Sequence, residues 1–126
     1  MDSFISGDRD AWKWTMMIAQ PSVVTDAWLA RATDEVKRKK DPPALSQVRF
    51  DSLTEGLAAQ ILHVGPYSNE GPTIEKLHAF IREQGGTFDG HMHKHHEIYL
   101  GDPRRTAPEK LKTVIRQPFA KEMKAT

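Results

Sequence analysis

From His95 to Leu100 the chain runs His-His-Glu-Ile-Tyr-Leu, and Gly101-Asp102-Pro103 follows at once. Gly and Pro together favour turn geometry, so a short strand ends there. Side chains alternate across a strand. His95, Glu97 and Tyr99 then share one face, and His96, Ile98 and Leu100 share the other. The Ile98/Leu100 face is expected to meet a core. The Glu97/Tyr99 face is expected to meet a second layer or a cavity. A carboxylate beside a phenol in mid-strand is costly when shielded from water unless a partner compensates it. Two readings follow. Glu97 is either solvated on a wet sheet face or the acid of a ligand pocket.

The segments before this strand carry clear periodicities. Trp12, Trp14, Met16 and Ile18 alternate with Lys13, Thr15, Met17 and Ala19, which predicts a strand over 12–19. It is either a core strand packed on helices or a strand that places one indole in a pocket wall. Thr25 can cap a helix in which Trp28, Leu29, Ala32 and Val36 fall at helical spacing. That helix ends in Lys37-Arg38-Lys39-Lys40, a run suited to the negative end of a helix dipole and needing no partner. Leu45–Leu53 reads as a weaker strand, joined by a Glu55-Gly56 turn to a strong strand over Leu57–Val64. The near-continuous apolar character of Leu57–Val64 predicts a central place in the sheet. His63 on that strand reads as a hydrogen-bonded core residue.

After Gly65-Pro66-Tyr67, Pro72 opens a second helix with an Ile74, Leu77, Phe80, Ile81 stripe, and Gly85-Gly86 close it. Tyr67, between strand and helix, either plugs the sheet end or faces a cavity. Thr87–Lys94 reads as a flexible polar loop and Lys112–Gln117 as the last strand. Residues 1–10 read as a mobile leader, 11–118 as the folded domain, and 119–126 as a polar tail. The order β-α-β-β-α-β-β predicts an α+β fold, an antiparallel sheet with two helices on one face.

Composition narrows the function classes. The 126 residues suit one domain and allow a core that buries roughly two thirds of the unfolded surface. A net charge of +1 provides no general field for nucleic acid or an anionic membrane. The absence of Cys excludes disulfides and thiolate chemistry, and no apolar run reaches the roughly 20 residues of a membrane span. A cytoplasmic protein without direct nucleic-acid or membrane partners is expected.

Three runs together carry a resemblance. They are His95-His96-Glu97-Ile98-Tyr99-Leu100-Gly101-Asp102-Pro103-Arg104-Arg105 with Pro108–Thr113 and Ile115–Pro118; His63-Val64-Gly65-Pro66-Tyr67 with Thr73-Ile74; and Trp12–Ile18. In this order they resemble the GyrI-like small-molecule-binding domain, whose fold is two strand-helix-strand-strand repeats around a central pocket. The resemblance implies that Glu97 faces that pocket, that Tyr67 and Tyr99 line it, and that Trp14 rather than Trp12 supplies an indole wall. It implies a hydrophobic or cationic small-molecule ligand and no cofactor. Free-standing members include enzymes that open electrophilic cyclopropane rings by adding water. In that case Glu97 orients or deprotonates the water, and Tyr67 or Tyr99 binds the conjugated carbonyl. The alternative is a non-catalytic module that sequesters drugs or serves as the effector-binding part of a regulator.

A full family domain begins with a strand and helix ahead of the tryptophan strand, and residues 1–10 do not supply them. A truncated chain accounts for this. So does a homodimer that rebuilds the missing wall, which is the expectation here because an open sheet edge favours pairing. A further alternative is metal binding by His91, His93 and His95, since imidazole suits Zn, Ni and Cu. No Cys or acidic ligand completes a standard zinc spacing there, so no metal site is expected.

Overall fold

The computed structural model describes residues 13–122. The leader expected over 1–10 and the indole of Trp12 lie outside them. The chain forms two compact units, one of Trp14–Thr54 and one built on the chain from Glu55 onwards.

In the first unit, helix α1 (Asp26–Lys39) starts where expected. The Thr25 hydroxyl accepts from the Trp28 amide, and Asp26 lies in the first turn. Lys37, Arg38 and Lys39 fill the last turn, and Lys39 Nζ lies 2.7 Å from Glu35 one turn back. Two expected strands are not formed. Residues 13–20 are irregular, and Pro43–Gln47 is a 3-10 turn followed by irregular chain. Both stretches show alternation, but alternation reports only an amphipathic extended chain. A strand also needs a neighbour for its backbone groups, and the described residues give these stretches none.

The second unit is α+β. Strands β1 (Ala58–Val64), β3 (His96–Tyr99) and β4 (Lys112–Pro118) make an antiparallel sheet in the order β1-β4-β3. The apolar strand β1 is thus an edge of this three-stranded sheet, and β4 takes the centre. Helix α2 (Gly71–Glu83) buries Ile74, Leu77 and Ile81 against Ala59 and Ile115. Its C-terminal turn closes with Gly85 at φ 75°, a conformation that suits glycine, where the Gly85 amide donates to the Arg82 carbonyl.

The register decides which residues face this core. Ile61 is opposite Ile115, and Ile115 is opposite Glu97; His63 is opposite Thr113, and Thr113 is opposite Tyr99. Directly opposed residues share a face. The Glu97/Tyr99 side is therefore the side α2 covers. Ile98 falls in the row Leu62–Val114–Ile98 on the other face, and Leu62, Ile98 and Leu100 are exposed. This overturns the expectation that the Ile98/Leu100 face meets the core, while the Glu97/Tyr99 face does lie on the side of a second layer, α2. The apolar residues of this short strand were a weaker guide than the fully buried Ile115 opposite Glu97.

The chain beyond Pro118 is more than a polar tail. Phe119 is buried in the core, and β5 (Ala120–Lys121) pairs with β2 (Gly86–Thr87). Gly86 is pressed against that core. A Cβ built there would lie 2.4 Å from a Phe119 ring carbon and 2.8 Å from Ile81 Cγ2. Gly86→Ala should therefore destabilise the fold by roughly 1–3 kcal/mol, the usual cost of overpacking. Chemical denaturation reads this directly, and an unchanged midpoint would mean that Phe119 is not packed there. Among the described residues no helix is long and apolar enough to cross a membrane.

Candidate functional site

One end of the α2-covered face gathers Tyr67, Glu70, His95, Glu97 and Tyr99, all in the second unit. The turn from β1 to α2 places the first two. Gly65 at φ 129° ends the strand, and its amide donates to the Leu111 carbonyl at 2.8 Å. His63, buried as expected, staples this turn. Its Nε2 lies 3.1 Å from the Pro66 carbonyl and its Nδ1 2.8 Å from the Thr73 hydroxyl. A carbonyl only accepts, so Nε2 carries a hydrogen, and in that tautomer Nδ1 accepts from the Thr73 hydroxyl. Tyr67–Asn69 then form a 3-10 turn that delivers Glu70 to the start of α2.

Strand β3 supplies the rest. His95 Nε2 is 3.0 Å from Glu97 Oε1, and the Tyr99 hydroxyl donates to Glu97 Oε2 at 3.1 Å. The Glu97 side chain is 13 % exposed and that of His95 11 %. The Tyr67 and Tyr99 rings meet edge to face with centroids 5.3 Å apart. Burial alone would raise the Glu97 pKa, but hydrogen bonds to His95, Glu70 and Tyr99, with the His95 charge, hold it well below the usual carboxylate range. Tyr99 is 60 % exposed, and its partial burial, then the Glu97 charge, pushes the phenol up, so Tyr99 stays a donor.

Glu97, Tyr99 and Tyr67 are thus brought together. Trp14 belongs to the first unit, on irregular chain, and is 69 % exposed. Sequence reasoning missed Glu70 and His95. The signal for His95 was present, since it shares Glu97's face at spacing two. Glu70 is reached only through the turn geometry. The buried Gln117 side chain was missed as well. It donates to the His93 carbonyl at 2.6 Å and so ties the polar loop to β4 just before His95.

The histidine run does not converge. His95 meets Glu97 on the core-facing side, while His96 meets Glu55 at 3.2 Å on the other, where Arg116 Nε also donates to Glu55 at 2.9 Å. His93 Nδ1 accepts from the Asp89 amide. Among the described residues no three His, Asp or Glu side chains are grouped to hold a metal ion. Asp102 organises the turn after β3, accepting from the Arg104 amide at 2.9 Å and from its guanidinium at 3.1 Å.

An antiparallel sheet with a helix on one face, carrying a shielded acid beside two tyrosines, has the makings of a small ligand-binding domain. The comparisons give the family: residues 18–120 match the GyrI-like small molecule binding domain, and the chain belongs to that family. A hydrolase from Listeria innocua is similar at 38% identity and a TM-score of 0.67, over 80% of this chain and 52% of that one. An uncharacterized conserved protein from the same organism gives 39% and 0.70, over 80% and 50%. The structure of a Listeria innocua hydrolase encoded by lin2189 gives 37% and 0.68, over 80% and 50%. The chain spans about half the length of these proteins. A comparison with curated proteins finds no match.

Proposed function

We propose that the Glu97–Tyr67–Tyr99 group binds flat, hydrophobic, cationic small molecules, with Glu97 as the counter-charge. One observation carries this reading: a mostly shielded carboxylate is kept ionised by His95 and Tyr99 beside an edge-to-face tyrosine pair. The tyrosine faces add cation–π attraction of roughly 0.5–2 kcal/mol per desolvated contact. Calorimetry with the N-methylacridinium cation against neutral acridine tests it. The cation should bind more tightly by about that amount, and equal affinities would defeat the reading.

Hydrolysis is the second reading, favoured by the two similar structures described as those of a hydrolase. With an electrophilic cyclopropane, Glu97 would take a proton from water as its oxygen bonds to a ring carbon. The strained C–C bond breaks, and its electron pair passes to the conjugated carbonyl held by Tyr67 or Tyr99. A proton then completes the ring-opened alcohol. A carboxylate held well below neutrality is a weak base, which is why binding is placed first.

A further inference from the structure

His95 Nε2 lies 3.0 Å from Glu97 Oε1, and both side chains are mostly shielded from water. A carboxylate only accepts, so Nε2 carries a hydrogen whether the ring is neutral or an imidazolium. The bond therefore survives titration of the ring, and the second proton, at Nδ1, changes charge rather than geometry. The surroundings are fixed as well. Gln117 ties the His93 carbonyl to β4, and the Tyr99 hydroxyl donates to the other Glu97 oxygen. With a neutral ring the pair carries one negative charge. With an imidazolium the two charges cancel.

We propose that His95 sets the charge this site offers a ligand: a neutral ring leaves Glu97 to select cations, and an imidazolium leaves a site for uncharged aromatic molecules. His95 is a positioning residue here, since it acts through Glu97. The inference rests on the reading of Glu97 as the counter-charge. Histidine is the side chain that ordinarily changes charge between about pH 5 and 8, so the preference is expected to change across that range. On β3 itself, Glu97 stays ionised and Tyr99 stays protonated throughout it. On α2, burial and then the His95 charge hold His78 below the ordinary histidine value, with Arg82 and Glu75 nearby. The turn from β1 to α2 contributes Tyr67 and Glu70. On β1, His63 is engaged with Pro66 and Thr73, and in the loop before β3 His93 accepts from the Asp89 amide.

Calorimetry on the full chain from about pH 5 to 8, with the N-methylacridinium cation and the similarly shaped, uncharged N-methylacridone, tests this. Neither ligand gains or loses a proton in that range. As pH rises, the affinity ratio should swing towards the cation by roughly 10- to 20-fold, the effect of one unit charge across about 10 Å at an effective dielectric of about 20. In His95→Gln an amide N–H still donates to Glu97 but the side chain takes no proton. Its ratio should stay at the high-pH level throughout. Ring nitrogen NMR needs no ligand: His95 should keep its hydrogen on Nε2 across the range, with only Nδ1 titrating. A constant cation preference in the wild-type chain would overturn the inference. So would a pH dependence that survives His95→Gln, which would assign it to another group, or a neutral ring with its hydrogen on Nδ1. Equal affinities for the two ligands at every pH would instead defeat the counter-charge reading, and this inference with it.

Discussion

Glu97→Gln is expected to weaken cationic ligands by roughly 1–3 kcal/mol, the scale of a lost hydrogen bond to a charged group, while the fold stays intact. The substitution keeps the shape and removes the charge. An amide oxygen can still accept from His95 or from Tyr99, whereas the amide nitrogen can only present hydrogens to a donor. If the site hydrolyses a neutral cyclopropane, the same change should spare binding and cut turnover by roughly 10²–10⁴-fold. If Glu97 is merely solvated, neither quantity should move, and calorimetry with product analysis would then remove it from the mechanism.

The substitution also has a signature in acid. Glu97 is lowered from 4.5 to about 2, chiefly by its hydrogen bonds to His95 and Glu70, against the opposing effect of burial. A depressed folded-state value stabilises the protein above the unfolded-state value and loses that contribution as pH falls through the folded-state value. The wild-type chain should therefore lose this stabilisation progressively between about pH 4.5 and about 2. Glu97→Gln should lack that part of the acid limb. Thermal unfolding of both proteins across this range measures the difference, and parallel curves would mean that Glu97 is not held ionised by the fold.

Ile115→Ala should be the most damaging single change to stability. Ile115 is 0 % exposed on the central strand, between Ile61 and Glu97, within the cluster that includes Ile74, Leu77 and Ile81. Truncation there loses the transfer free energy of the deleted groups and leaves a cavity under α2. A cost of roughly 2–5 kcal/mol is expected, a large share of what a small unit can spare. Urea unfolding followed by circular dichroism reads it, and a loss below about 1 kcal/mol would contradict the packing of α2 on this strand.

Local chemistry makes several features legible in the sequence alone. The helical stripe from Ile74 to Ile81, with Pro72 before it and Gly85 after it, matches α2. The alternation in β3 puts Glu97 and Tyr99 on one face, and the Gly-Pro-Tyr turn marks Tyr67, because strand period and turn preference are properties of neighbouring residues. What local pattern could not decide was pairing. Trp14–Ile18 alternates well, but amphipathicity does not name a partner strand. The apolar run of β1 suggested a centre that β4 occupies, since order in a sheet is set by contacts between distant segments. The same limit hid Glu70. Glu70 bears on the charge of Glu97, 27 residues later, only because the β1–α2 turn and β3 converge at one end of the face that α2 covers, as the Tyr67–Tyr99 ring contact and the pairings through β4 show. Sequence period states which side chains share a face. Only the tertiary register states what that face meets, because the burial that sets the charge of Glu97 is supplied by residues far away in the chain.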